Sequence, residues 1–97
     1  MYVAQNTATV QLDQLDEGLR IYREEVVPLI KQLPGLQSVR VLVDRNTGTV
    51  IASATYDTEA NARAAGTSPQ YQQAVGLLAP LLTSQPQRMF YEVALEV

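Results

Sequence analysis

Cysteine, histidine and tryptophan are all missing from this chain of 97 residues. Without cysteine there can be no disulfide, no thiolate metal site and no sulfur nucleophile. Without histidine the commonest general base and the commonest metal ligand are gone. Positive charge is scarce as well: 7 Lys and Arg stand against 10 Asp and Glu, a net charge of −3. An acidic chain lacks the basic patch that nucleic acid or an anionic membrane surface would need. No apolar run approaches the roughly 18 residues that would span a bilayer. The start, MYVAQNTATV, lacks the basic end and apolar core of a signal peptide. The expectation is a cytoplasmic protein with no metal, no cofactor, no nucleic acid and no membrane among its partners.

What remains is an ordinary globular composition, 46% hydrophobic, and a length that allows one domain over residues 1–97. A core this small gains from a second subunit. YVAQNTATVQL, rich in Val, Thr and Tyr, predicts a strand over Tyr2–Leu12. From Asp13 the period lengthens. Leu15, Leu19, Tyr22, Val26, Leu29 or Ile30, and Leu33 recur every three or four residues, the apolar stripe of a helix that Pro34-Gly35 ends. Pro28 inside it removes a backbone donor and predicts a kink.

LQSVRVLVD, residues 36–44, reads as a second strand with Val39, Val41 and Val43 on one face and Arg40 and Leu42 on the other. Thr49–Tyr56 is a third, with Val50, Ala52, Ala54 and Tyr56 sharing a face. Residues 57–84 predict helix in two pieces. Asp57 or Thr58 caps the first and Gly66 stops it. Ser68-Pro69 opens the second, and Pro80 disturbs its last turn. QRMFYEVALEV closes the chain as a strand with Met89, Tyr91, Val93, Leu95 and Val97 on one face. The order β-α-β-β-α-β predicts a ferredoxin-like α+β fold, a four-stranded antiparallel sheet with helices on one face. The helices cover one side only, so an apolar second side predicts a partner.

The central stretch DRNTGT, residues 44–49, spaces Asp44, Asn46 and Gly48 like the opening of a calcium loop. Such a loop needs Gly at its sixth position and Glu at its twelfth. Counted from Asp44, those positions are Thr49 and Thr55. Asn46-Thr47-Gly48 fits a three-residue hairpin loop instead, with Gly48 left-handed and Asp44 bonding forward to backbone donors.

Taken together, YREEVVPLIKQLPGLQSVRVLVDRNTGTVIASATYDTEANARA joins a helix with an internal proline, a Pro-Gly stop, a valine strand, an Asp-x-x-Thr-Gly hairpin and a strand ending in an aromatic before a helix cap. This succession resembles the antibiotic biosynthesis monooxygenase-like family of the dimeric α/β-barrel superfamily. The resemblance implies a homodimer whose two sheets meet as a barrel, each subunit keeping a pocket between sheet and helices. It implies cofactor-independent oxidation of a small aromatic or quinone-like molecule, or, as the alternative, a non-catalytic module that binds a small apolar ligand or only dimerises. Haem-degrading relatives use an Asn, a Trp and a His. The first matches Asn6, but the other two positions fall on Ala64 and Val75, and no histidine exists to hold haem iron. Haem degradation is therefore not expected.

Oxidising a phenol without cofactor requires a wall for the ring, a donor for the oxyanion and exclusion of water. The candidates are Asn6 and Tyr56 as catalytic groups, and Tyr71 and Arg40 as substrate-binding groups. Asn6 is the only amide on its strand face, flanked by Ala4 and Ala8, which leave space. Tyr56 stands where the family often carries Trp. Each has a plainer reading: a strand-edge bond for Asn6, packing for Tyr56 and Tyr71, a solvated face or an ion pair between subunits for Arg40. Tyr22 reads as packing alone.

Overall fold

A computed structural model describes all 97 residues. The strands β1 (Tyr2–Thr9), β2 (Leu36–Asp44), β3 (Thr49–Tyr56) and β4 (Gln87–Glu92) form one antiparallel sheet in the order β2-β3-β1-β4. The helices α1 (Leu15–Ile21), α2 (Val27–Ile30), α3 (Glu59–Ala65) and α4 (Pro69–Leu78) cover one face. This is a ferredoxin-like α+β fold. No helix is long and apolar enough to cross a membrane.

Register decides which side chains meet the helices. Ala4 pairs with Ala54 and Phe90, Asn6 with Ala52 and Arg88, and Ala8 with Val50. Successive strand residues alternate between faces, so this set shares the face of Ala4, which is fully buried in the core with Val26, Ile30, Leu33, Tyr56, Ala62, Ala65 and Ala74. The opposite face is open. There Leu42, Met89 and Tyr91 are each about half exposed.

Between α1 and α2 the helix widens into a π turn over Tyr22–Val26, and the Val27 amide bonds to the Tyr22 carbonyl. Pro28 supplies the cause. Its ring would press on the Glu24 carbonyl of a regular helix and it has no N–H to offer. A wider turn relieves both conditions, so the kink expected at Pro28 takes this form. Thr58, not Asp57, caps α3, accepting from the Asn61 amide at 3.1 Å, while the Asp57 carboxylate accepts from Asn61 Nδ2 at 2.8 Å. Ser68 caps α4 by accepting from the Tyr71 amide at 3.1 Å. Pro80 lies in a 3-10 turn, Ala79–Leu81.

Three boundaries differ from the sequence expectation. β1 stops at Thr9 rather than Leu12, because β3 begins at Thr49; beyond that pair the Val10 amide donates to the Gly48 carbonyl in the hairpin loop at 2.9 Å, and Val10 forms an isolated bridge to Leu82. β4 stops at Glu92 rather than Val97. Its last ladder pair is Glu92 with Tyr2, and the Val93 amide bonds to the Met1 carbonyl at 3.0 Å. The hairpin loop has four residues, Arg45–Gly48, since Asp44 pairs with Thr49. Within it Gly48 has φ 80°, and Asp44 Oδ1 accepts from the Asn46 amide at 2.8 Å.

Candidate functional site

A cavity of about 140 Å³ lies between the sheet and the helices. Asn6, Ala8, Val41, Val50 and Ala52 make its floor. Leu15, Leu19, Tyr22 and Val26 cover it from α1 and the π turn, and Tyr71, Ala74, Val75 and Leu78 from α4. Alanines at 8, 52 and 74 account for the space, because the helices rest on larger neighbours and cannot sink into the gap. Of the 19 residues in the wall, 16 are hydrophobic.

Polar groups enter from only three side chains: Asn6, Tyr22 and Tyr71. The Tyr71 hydroxyl donates to Asn6 Oδ1 at 2.9 Å. That bond ties α4 to β1 and fixes the amide so that Nδ2, which has no partner within the chain, is the free donor. The Ser68 cap sets the first turn of α4 and with it the position of Tyr71.

Arg88 stands behind this pair. It faces Asn6 across the β1–β4 ladder. Its guanidinium lies 4.5 Å from the centre of the Tyr71 ring and 5.2 Å from that of Phe90, both cation–π contacts. Nη2 donates to the Ala62 carbonyl at 3.3 Å, buried Nε has no acceptor, and no carboxylate pairs with the group. A positive charge under the helices with no counter-charge favours any anion formed nearby.

The sequence candidates separate in space. Asn6 and Tyr71 meet in the cavity wall. Tyr56 does not line it: the side chain is buried in the core, 3% exposed. Arg40 is corrected more sharply. It pairs with Ser53, whose β1 partner is Gln5, so it sits on the open face with the whole sheet between it and the cavity. Tyr22, expected to serve packing alone, is part of the wall. Arg88 is the residue that sequence reasoning misses, although the alternation that puts Met89 and Tyr91 on one face also puts Arg88 and Phe90 on the other.

Burial pushes the Tyr22 phenol up to about 12, with Tyr56 and Tyr71 adding to the effect. Burial raises Tyr56 too, and the Arg88 charge pulls part of that back. Near neutral pH both are hydrogen-bond donors rather than bases. The wall contains no carboxylate. Such a wall can receive an apolar group and donate a hydrogen bond to it.

Residues 1–77 match the family model for antibiotic biosynthesis monooxygenase. Two uncharacterised proteins of Mycobacterium tuberculosis are 44% identical over 48 residues, 50% of this chain and 21% of each of those proteins. The chain therefore spans about one fifth of the length of the curated relatives it matches. Among solved structures, a monooxygenase from Streptomyces coelicolor in complex with the ligand nanaomycin D aligns with a TM-score of 0.84 at 20% identity, over 99% of this chain and 89% of that one. A conserved protein from Methanosarcina mazei Go1 aligns with a TM-score of 0.76 at 12% identity, over 93% and 89%. At such identities structural likeness speaks for the fold alone. The sequence match is what carries the family: it runs from the first strand into α4, through Asn6 and Tyr71, and by it the chain belongs to the antibiotic biosynthesis monooxygenase family.

Proposed function

We propose that this chain binds a small aromatic or quinone-like molecule in the cavity and oxidises it with dioxygen, without a cofactor. The observation that carries the reading is an apolar chamber with one polar cluster, where Asn6 presents a free amide donor held by Tyr71 and backed by the charge of Arg88. A phenol bound there would lose its proton to solvent, and its oxyanion would rest on Asn6 Nδ2 within the field of Arg88. The phenolate would then react with dioxygen at a free ring carbon. One oxygen atom would end in the quinone and the other in water, so that phenol plus dioxygen gives quinone plus water. Asn6→Ala lowers turnover of such a phenol by about a hundredfold, the scale of one lost oxyanion donor, more than its loss of stability accounts for. Unchanged turnover in that variant would sink the reading.

One observation favours the alternative of binding without catalysis: nothing in the wall can take up a proton. The two readings part on oxygen consumption. Both predict that a phenol raises the melting temperature, but only the enzyme consumes dioxygen when the phenol is bound. Under either reading the open sheet face meets a second copy of the chain.

A further inference from the structure

The cavity is limited in size as well as in polarity, and its limits are built from backbone. The far wall is the segment Leu82–Pro86, and it is tied to the end of β1. The Thr83 amide donates to the Thr9 carbonyl at 2.8 Å, the Thr9 amide donates to Ser84 Oγ at 3.0 Å, and the two threonine hydroxyls lie 2.8 Å apart. Val10 and Leu82 form a bridge beside them. The near wall is core, with Val26 and Ile30 only 2% and 7% exposed. The floor is sheet. Lengthening the chamber would break this set of hydrogen bonds, one of them between backbones, or open the core.

We propose that the site accepts a single aromatic ring bearing one or two oxygens and rejects fused ring systems. The inference rests on the reading that the cavity binds an aromatic molecule. The volume of about 140 Å³ is close to the roughly 150 Å³ of an apolar protein cavity that holds one benzene. A second fused ring exceeds this volume and would have to protrude through the open side of the chamber. The oxygen is placed by Asn6 Nδ2, and the Tyr22 hydroxyl is a second donor in the wall with no partner in the chain. A ring without oxygen leaves those donors unpaired, and a ring with more than two oxygens leaves the extra ones facing alanine, valine and leucine.

The test is calorimetric titration of the full chain with benzene, phenol, naphthol and phenanthrol. Phenol binds about fivefold tighter than benzene, the scale of one net hydrogen bond, and at least tenfold tighter than phenanthrol. Ala52→Leu, which fills the floor, abolishes phenol binding. Leu82→Ala removes end-wall volume and brings naphthol to within about twofold of phenol, and Leu78→Ala serves the same purpose should the first variant fail to fold. Phenanthrol binding as tightly as phenol in the wild type, with Ala52→Leu still abolishing both, overturns the size limit and leaves the cavity reading intact. No binding by any of the four overturns both.

Discussion

At Gly48 the backbone decides the residue. Its φ is 80°, and a Cβ there would lie 2.2 Å from the Val10 carbonyl oxygen. Gly48→Val therefore costs about 2–3 kcal/mol, strain and collision together, read as a lower urea midpoint, and calcium does not restore it. A calcium-dependent rise in melting temperature would instead revive a metal at Asp44. Tyr22 gives a prediction in pH. Its phenol is raised to about 12 in the fold, so as pH rises the unfolded chain ionises first. The stabilisation is whole below pH 10 and is lost as the pH climbs to about 12. Keeping this phenol protonated contributes roughly 2 kcal/mol after allowance for its partial exposure. Urea midpoints taken across that range fall less steeply for Tyr22→Phe than for the wild type. Residue type and alternation make Asn6 legible, because a lone amide among alanines signals space. They do not choose between Arg40 and Arg88. The alternation tells only that neighbours part; which parity faces the helices is set by cross-strand register, and that is a property of two segments rather than one.

Elements are legible where their signals are local. Ser68-Pro69 predicts a helix start because a hydroxyl acceptor and a fixed φ act within four residues, and the structure has that cap. Ser68→Ala costs about 1 kcal/mol. It also frees the turn that carries Tyr71, so phenol affinity falls as stability falls; Ser68→Asp restores both. Loss of stability with affinity unchanged would show that Asn6 and Arg88 hold Tyr71 without the cap. Strand ends are not legible, because a strand lasts as long as its partner does. The alternation of QRMFYEVALEV runs on to Val97, yet the ladder stops where β1 does. The π turn is intermediate. Pro28 announces a disturbance, but whether the helix bends, breaks or widens depends on the sheet beneath it.

For the molecule as a whole, the two faces of one sheet have different duties. The helix face encloses the cavity. The open face carries Leu42, Met89 and Tyr91, 48%, 50% and 47% exposed, more apolar side chain than a lone sheet usually leaves in water. Light scattering on a sizing column gives the mass of two chains at micromolar concentration, and Met89→Asp shifts it toward one. A single-chain mass for the wild type rules out a stable pair. Phenol affinity in Met89→Asp stays within about twofold of the wild type, since a sheet separates the two surfaces. The chain has no tryptophan and 5 tyrosines. Tyr22 and Tyr71 line the chamber, and Tyr56 lies near enough to Tyr22 to influence its ionisation. Tyrosine therefore supplies all of the intrinsic fluorescence, and much of it originates beside the cavity. A quinone formed or bound there sits against two of the emitters and accepts their excitation energy or an electron, so occupancy of the site can be followed as quenching in unlabelled protein.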